Sequence, residues 1–273
     1  MTLIYAIGGG YGHLTRTAAL VRTLGIKDYL VLTACKELAR RIFPKENYHI
    51  LDNRLSQNPR EYRVHLNSII DDYKPSTFIL DSFPLGILGE FEDFSWPKDI
   101  ELIYIARILK WQKYMVGKGE LPKFKKVYQV ENLISDHEEF LKTNFSVEKL
   151  VLNYFRPVAE SLDSVPYGII CHSGNDSEIQ MLCEKALKIR NHEKLYLISP
   201  NRPEKLPKEI IYKFHHPANM YFEKASFVVS AAGFNIMQEM KGLSTKHYPF
   251  PVERRFDDQA LRISLLKVAN QVS

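Results

Sequence analysis

Short apolar runs rich in β-branched residues alternate along the chain with stretches in which apolar residues recur at helical spacing. In the first half, the buried strands that this pattern predicts are 3–7, 29–33, 77–81 and 101–106. In the second half they are 167–172, 195–199, 210–214, 226–230 and 245–250. Because helix-like segments separate the strands and imply crossover connections, the pattern predicts two α/β units, each built on a parallel sheet.

Residues that interrupt helices and strands cluster between the two series. This stretch, 156–166, contains Pro157, Ser161, Asp163, Ser164 and Pro166. We therefore place a linker there and predict a first domain of residues 1–160 and a second domain of residues 161–273.

Composition indicates a globular chain of ordinary type. Of the 273 residues, 45% are hydrophobic, and the net charge of +5 favours anionic ligands but is too small for a dedicated nucleic-acid binder. Cys35, Cys171 and Cys183 are widely spaced, which is typical of reduced thiols in a cytoplasmic protein. The N-terminus does not read as a signal peptide and no apolar run reaches the length of a membrane span, so we expect a cytoplasmic location.

A glycine-rich turn joins the first predicted strand to a helix. The turn contains Gly8, Gly9, Gly10 and Gly12 and is followed by His13. Such a turn exposes backbone N–H groups and the positive end of the helix dipole, which suit a phosphate or a developing oxyanion. A turn that only packs the helix against the strand would use the same glycines, so the turn alone leaves both interpretations open.

A dinucleotide-binding turn is a further alternative. It would have a small residue at the position of His13 and an acidic residue at the end of the second strand. The chain has Thr33, Ala34 and Cys35 at that strand end instead. The sequence therefore disfavours a dehydrogenase.

His13 is a candidate general base. It lies in the first turn of the predicted helix, where the dipole disfavours a protonated imidazole and leaves a neutral ring near physiological pH. A histidine that only packs against the turn is the alternative.

Near the C-terminus, a Ser-x-x-Gly turn after a Val-rich strand leads to a helix with a glutamate, a strand, a proline loop and a glutamine. These residues are Ser230, Gly233, Glu239, Pro249, Pro251 and Gln259. Together with the glycine-rich turn and the segment from Asp81 to Glu90, this order resembles the GT-B glycosyltransferases. Within that group it is similar to family 28-like enzymes, which transfer N-acetylglucosamine from UDP to undecaprenyl-pyrophosphoryl-muramoyl-pentapeptide, and to related predicted glycosyltransferases.

The resemblance implies an α/β fold of the GT-B type, with two Rossmann-like domains that face each other across a cleft. Residues 1–160 would form the acceptor-side domain and residues 161–273 the nucleotide-sugar-binding domain. The implied activity is metal-independent transfer of a sugar from a nucleoside-diphosphate donor, with UDP favoured, to an unidentified hydroxyl acceptor, lipid-linked or small. No cofactor is implied, and the sequence contains no Asp-x-Asp motif for a metal-dependent mechanism.

The resemblance also implies roles for individual residues. His13 would act as the general base or contact the acceptor or the donor phosphates, beside the glycine loop. Glu239 would accept hydrogen bonds from the ribose hydroxyls, and Gln259 would contact the donor sugar. The complete set of implied donor-binding residues is Ser173, Gly174, Gly233, Phe234, Asn235, Glu239, Asp258 and Gln259.

Basic and aromatic residues cluster between the fourth predicted strand and residue 128. Such a cluster can attach a protein to an anionic membrane surface, as expected for a lipid-linked acceptor, although a solvated loop over the acceptor site is an equal alternative. The residues proposed for this contact are Arg107, Lys110, Trp111, Lys113, Lys123, Lys125 and Lys126.

Two other functions are compatible with the same residues. A nucleotide-sugar hydrolase would use water in place of the acceptor, with His13 as the base, and would release free sugar without an acceptor. A non-catalytic nucleotide-sugar-binding protein would leave its donor intact.

Overall fold

The computed structural model describes residues 1–8, 11–52 and 58–272. The chain divides into two compact units, Met1–Tyr154 and Phe155–Ser273. Residues 150–166 contain no helix or strand, and the predicted boundary between residues 160 and 161 falls in this segment.

The first unit is built on a seven-stranded sheet in which every neighbouring pair is parallel. Its strands are β1 (Thr2–Tyr5), β2 (Tyr29–Thr33), β3 (Tyr48–Ile50), β4 (Thr77–Asp81), β5 (Glu101–Ala106), β6 (Lys126–Gln129) and β7 (Val147–Lys149). They lie in the order β3-β2-β1-β4-β5-β6-β7. Tyr5 of β1 is opposite Leu80 of β4, so the loops that follow these two strands leave the same edge of the sheet side by side.

The α-helices between the strands, within the described part of the first unit, are α1 (Gly12–Leu24), α2 (Lys36–Ile42), α3 (Pro59–Tyr73), α4 (Trp111–Met115) and α5 (Ser135–Asn144). Helix α1 is followed by Gly25, whose φ of 64° is the left-handed conformation that glycine adopts without strain. Helix α3 begins after Asn58, whose side chain accepts the backbone N–H of Glu61 and so satisfies one of the unpaired N–H groups at that end.

The core of the first unit lies along the sheet. Leu3 and Leu80 are fully buried on neighbouring strands, and an aromatic group packs beside them. In this group the rings of Tyr5 and Phe91 meet edge to face, with centroids 4.8 Å apart. Burial of one such large apolar side chain stabilises the fold by about 1.5–3 kcal/mol, so this layer holds β1 and β4 in the core of the unit.

The second unit has a smaller parallel sheet. Its strands are β8 (Tyr167–Cys171), β9 (Lys194–Ile198), β10 (Ile210–Lys213), β11 (Phe227–Ala231) and β12 (His247–Phe250), in the order β10-β9-β8-β11-β12. The helices are α6 (Asp176–Ile189), α7 (Phe234–Glu239) and α8 (Gln259–Val272). Helix α6 packs its buried residues, Leu182 among them, on a core with Ile170 and Val229.

The predicted fold class is confirmed: both units are α/β with parallel sheets. Three strands were not predicted, namely β3, β6 and β7. They are three or four residues long, and β7 carries two exposed charged residues, Glu148 and Lys149. Their strand conformation comes from pairing with a longer neighbour and not from a local apolar pattern.

Candidate active site

The glycine-rich turn ends at α1 and places His13 as the second residue of that helix. Gly12 is the first residue, whereas Gly9 and Gly10 lie outside the described residues, so their predicted role stays a prediction. Gly8 packs directly beneath the imidazole: a Cβ at this position would lie 1.9 Å from Nε2 of His13. A side chain at residue 8 would therefore displace the ring, so the observed position of the His13 imidazole requires a glycine here.

His13 is paired with Asp81, the last residue of β4. Its Nδ1 lies 2.6 Å from Oδ2 of Asp81, and both side chains are almost completely buried. Arg16, one turn further along α1, donates two hydrogen bonds to the same carboxylate. Its Nε lies 2.6 Å from Oδ1 and its Nη2 lies 2.6 Å from Oδ2. The three residues form one buried ion and hydrogen-bond cluster, and bidentate contacts of this kind are among the strongest polar contacts in proteins.

The electrostatics of the cluster define the protonation of its members. Burial alone would raise the pKa of Asp81, but Arg16 and His13 outweigh burial and hold that pKa well below its usual range. The pKa of His13 is lowered, chiefly by burial; the Asp81 charge opposes this shift, while Arg16 and Arg107 add to it. At neutral pH Asp81 is therefore an anion and His13 is neutral, with burial rather than the helix dipole as the main cause.

The tautomer of His13 follows from this arrangement. The ionised carboxylate of Asp81 can only accept a hydrogen bond, so Nδ1 of His13 donates its proton to it. The lone pair is left on Nε2, the atom that faces the Gly8 turn. Nε2 can accept a proton there, as a general base must.

The partners of His13 were not among the predicted site residues. Asp81 was noted only as part of a segment that resembles other glycosyltransferases, and Arg16 was not considered. The signal that could have found Asp81 is its position as a charged residue at the end of an apolar strand, since β1 and β4 are adjacent and their carboxyl ends meet at one edge.

A second buried carboxylate supports the loop after β4. Glu90 is fully buried; its Oε1 accepts the hydroxyl of Tyr5 at 2.5 Å, and its Oε2 accepts the backbone N–H of Leu88 at 2.8 Å. Tyr62 of α3 lies 2.9 Å from the Tyr5 hydroxyl. Gly86 has a φ of 81° and passes so close to the Glu90 carboxyl that a Cβ would lie 2.1 Å from it. The loop that carries Asp81 at its start is thus anchored to β1 and α3.

The predicted membrane contact is wrong for two of its residues. Arg107 is buried and its Nε donates to the hydroxyl of Ser82 at 2.8 Å. Trp111 is buried and stacks on His137, with ring centroids 3.9 Å apart. Both side chains are parts of the interior of the first unit and cannot reach a lipid surface.

Two lysines of the same predicted surface have partners within the unit. Lys125 forms an ion pair with Glu101, and Nζ of Lys126 lies 2.9 Å from Glu148. These pairs reduce the positive charge that the surface could offer. Membrane contact through Lys110, Lys113 and Lys123 stays a prediction.

In the second unit, Glu239 is the last residue of α7. Its carboxylate Oε1 lies 3.4 Å from Nδ2 of Asn219, which also donates to the carbonyl of Phe155 at 2.9 Å. Burial raises the pKa of Glu239 to about 7, and the charge of Arg156 partly opposes that shift. Glu239 therefore exchanges its proton near neutral pH, where a ligand hydroxyl would favour the ionised form as acceptor.

Gly233 immediately precedes α7 and Phe234 and Asn235 begin it. A Cβ at Gly233 would meet nothing within 4 Å, so the turn is open on that side. Phe234 is buried, whereas Asn235 is half-buried. The turn between β11 and α7 thus has room for a ligand group beside its backbone.

Gln259 and Asp258 occupy the start of α8. The side-chain oxygen of Gln259 accepts the backbone N–H of Val252 at 3.1 Å, and its amide nitrogen lies 3.3 Å from Oδ2 of Asp257. Asp258 accepts the backbone N–H of Leu261 at 3.0 Å and so caps the helix. Both predicted donor-binding residues have a structural role in the described residues, and their contact with a donor stays a prediction.

The loop with Ser173 and Gly174 follows β8 and precedes α6. A Cβ at Gly174 would lie 2.0 Å from the Glu178 carboxylate and 2.2 Å from Nε2 of His172, which are themselves 2.6 Å apart. Arg254 donates to both oxygens of Glu178. The glycine is required by this ion pair, so its presence is explained without a bound phosphate, and phosphate binding there stays a prediction.

The described residues contain no group of three or more His, Cys, Asp or Glu side chains able to hold a metal ion. Among the same residues no helix is long and apolar enough to cross a membrane.

Comparison with known proteins shows similarity in structure but not in sequence. No protein-family model matches the chain, and no curated protein sequence matches it either. The solved structures that match include the spinosyn forosaminyltransferase SpnP, at a TM-score of 0.62 and 11% identity over 97% of this chain and 83% of that one.

Two further matches have bound ligands. The spinosyn rhamnosyltransferase SpnG in complex with thymidine diphosphate matches at a TM-score of 0.60 and 10% identity, over 93% of this chain and 81% of that one. A UDP-glucosyltransferase from Polygonum tinctorium, in complex with 3,4-dichloroaniline, matches at 0.61 and 11% identity, over 96% of this chain and 82% of that one. The chain therefore has the two-domain α/β fold of these glycosyltransferases.

Proposed function

We propose that the protein is a glycosyltransferase that moves a sugar from a nucleoside-diphosphate donor to a hydroxyl acceptor. The observation that carries this proposal is the buried His13–Asp81 pair at the carboxyl edge of the first sheet. A neutral imidazole whose Nδ1 is held by a permanent anion has the protonation that a general base requires, and such a base contributes about 10²–10⁴-fold to a rate.

The proposed reaction is a single displacement, because the family likeness favours inversion. Nε2 of His13 takes the proton of the acceptor hydroxyl as the acceptor oxygen attacks the anomeric carbon of the donor sugar. The bond from that carbon to the diphosphate oxygen breaks, and the diphosphate leaves with the bonding electrons. Attack from the face opposite the leaving group inverts the anomeric configuration.

The charge that Asp81 supplies matters in the course of proton transfer. As His13 becomes an imidazolium, its new charge lies 2.6 Å from a carboxylate that the Arg16 guanidinium keeps ionised. Asp81 thus orients the ring and stabilises the charge that develops on it without taking the proton itself.

The donor is proposed to bind to the second unit as a UDP-sugar, as in the family 28-like enzymes that the sequence resembles. The open turn at Gly233 would receive the diphosphate, and Glu239 would accept hydrogen bonds from the ribose. Two acceptor oxygens on one carboxylate suit a pair of neighbouring hydroxyls. Ser173, Gly174, Asp258 and Gln259 are further candidates, with the structural roles described above.

A binding and turnover screen tests the proposal. The purified protein is heated with UDP, GDP, TDP, CMP and their common sugar conjugates, and release of nucleoside diphosphate is followed with a panel of hydroxyl acceptors. We expect stabilisation by one nucleotide, loss of that stabilisation in Glu239→Ala, and loss of turnover but not of binding in His13→Ala. Glu184→Ala is the matched control, because Glu184 is an exposed glutamate on α6.

Each other result of the screen would identify a different function. Sugar release that depends on His13 and needs no acceptor would identify a hydrolase in place of a transferase. Donor binding without any turnover would identify a nucleotide-sugar-binding protein. If no nucleotide binds, the similarity to glycosyltransferases is one of fold alone.

A further inference from the structure

Ser82 has an unusual backbone conformation next to the His13–Asp81 pair. It directly follows Asp81, is fully buried, and has a φ of 71°, in the left-handed region that residues other than glycine seldom occupy. Its N–H donates to the carbonyl of Ile105 at 3.1 Å, and its carbonyl accepts the hydroxyl of Tyr104 at 3.1 Å. Strand β5 thus holds the strained residue in place, and strain of this kind is often found at functional sites.

The hydroxyl of Ser82 uses all of its hydrogen-bonding capacity on the charged cluster. Its Oγ accepts from Nη2 of Arg16 and from Nε of Arg107, each at 2.8 Å, and donates to Oδ1 of Asp81 at 3.3 Å. A hydroxyl has one proton and two lone pairs, so these three bonds leave none of them unused.

The number of protons on Nη2 of Arg16 bears on the protonation of Nδ1 of His13. This nitrogen has two protons and three near neighbours: Asp81 Oδ2 at 2.6 Å, Ser82 Oγ at 2.8 Å and His13 Nδ1 at 3.1 Å. The carboxylate and the hydroxyl accept one proton each. These two oxygens are the nearer acceptors, so the contact of Nη2 with Nδ1 is the longest and weakest of the three. Nδ1 of His13 therefore carries a proton of its own, which it donates to Asp81.

We propose that Ser82 is a positioning residue that helps Asp81 to hold His13 in the Nδ1–H tautomer. By accepting the second proton of Arg16 Nη2, its hydroxyl disfavours the arrangement in which Arg16 donates to Nδ1 and the imidazole proton moves to Nε2. That alternative would place a proton on the atom that must accept one from the acceptor hydroxyl. The catalytic part of this inference rests on the proposed function, whereas the tautomer itself does not.

Three variants of the 273-residue protein separate this role from a purely structural one. Ser82→Ala and Ser82→Gly both remove the hydroxyl, but glycine adopts a φ of 71° without strain, so Ser82→Gly keeps the backbone at no steric cost. Ser76→Ala is the matched control: Ser76 precedes the same strand at its opposite end, where its hydroxyl donates to the carbonyl of Met1.

The first readout is the tautomer of His13, measured by nitrogen-15 NMR of histidine-labelled protein above neutral pH, without substrate. The His13 signals are assigned by their absence in His13→Gln. We expect the Nδ1–H tautomer in the wild-type protein and in Ser76→Ala, and a measurable fraction of Nε2–H in Ser82→Gly. The second readout is turnover: we expect kcat of Ser82→Gly to fall about tenfold to a hundredfold, the effect of losing one hydrogen bond to a charged group, with KM for the donor unchanged.

The outcomes are distinct from those of the proposed function. If Ser82→Gly keeps both the wild-type tautomer and the wild-type kcat, the inference is overturned. A shifted tautomer with unchanged kcat would overturn the catalytic part of the role. If the wild-type protein turns over no nucleotide sugar, the proposed function fails, and the NMR spectra still decide whether Ser82 sets the tautomer. If Ser82→Ala does not fold, Ser82→Gly supplies both readouts.

Discussion

The substitution Asp81→Asn should destabilise the first unit strongly. Asp81 accepts two hydrogen bonds from Arg16 and one from His13, and both Asp81 and Arg16 are buried. An asparagine places an NH₂ group where one of these donors now meets an oxygen, and it removes the negative charge. The Arg16 guanidinium would then stay buried, with its strongest counter-charge lost.

The expected loss can be estimated from the burial of the pair. Removing one partner of a buried ion pair costs about 3–5 kcal/mol. For a unit of this size, 1 kcal/mol corresponds to roughly 2–4 °C in Tm, so the first unit should melt roughly 6–20 °C lower. The pKa of Asp81 in the folded protein is held well below its unfolded value of about 3.9. The ionised carboxylate therefore contributes its full stabilisation of the fold above a pH of about 3.9, and this stabilisation is lost as the pH falls toward the folded pKa. The wild-type and variant stabilities should therefore converge as the pH falls below about 4.

The only two tryptophans of the sequence, Trp96 and Trp111, both belong to the first unit, so tryptophan fluorescence can report on the stability of that unit. Urea unfolding followed by tryptophan fluorescence therefore reports on that unit. Asp99→Asn is the matched control, because Asp99 is an exposed residue of the same unit outside its helices and strands, and its replacement should change stability by about 0.5 kcal/mol at most. If Asp81→Asn unfolds at the same urea concentration as the control at neutral pH, the charge of Asp81 does not hold the cluster together and the reasoning fails.

Three further results are expected. His13→Gln should lower kcat by about 10²–10⁴-fold at saturating donor, and retention of activity would exclude His13 as the base. Gly8→Ala should displace the imidazole, whose Nε2 would lie 1.9 Å from the new Cβ, and should lower kcat at least about tenfold at an unchanged far-UV spectrum. Gly119→Ala is the control for this substitution and should leave kcat unchanged, because a Cβ at residue 119 meets nothing within 4 Å. Affinity for the nucleoside diphosphate, measured by calorimetry, should rise as the pH passes upward through about 7, where Glu239 ionises, and this rise should vanish in Glu239→Gln but persist in Glu184→Gln.

The strands of five or six residues were predictable because each is an apolar run that is mostly buried. Strands β2, β4 and β5 have the predicted bounds, and the strands of the second sheet agree to within two residues. The short strand β7 was not predictable in this way: its sequence is Val-Glu-Lys, and it pairs with β6 only at an edge of the sheet. Its conformation depends on a neighbour that is distant in sequence.

His13 and its glycine turn were predictable because strand, turn and helix are contiguous in sequence. The partners of His13 were not. Asp81 is 68 positions away and Ser82 one further, so only the pairing of β1 with β4 brings them to the imidazole. Arg107 was interpreted as a surface residue because a basic cluster follows it, but its guanidinium is used inside the unit to hold Ser82.

The order of the strands explains why the candidate residues of each unit lie where they do. In the first sheet the chain runs from β1 through β2 to β3 on one side and resumes with β4 on the other side of β1. The strand order thus reverses between β1 and β4, and in sheets of this type ligands bind at the carboxyl edge beside such a reversal. His13 follows one of these strands and Asp81 ends the other.

The second sheet repeats this arrangement. There β8 is followed by β9 and β10 on one side and by β11 on the other. The loop with Ser173 and Gly174 follows β8, and the turn at Gly233 follows β11. Each unit thus has its candidate ligand-binding residues at the point where the strand order reverses. Local sequence patterns do not encode strand order. The observed order places the candidate residues of both units at the carboxyl edge beside a reversal, which is where ligands are expected to bind.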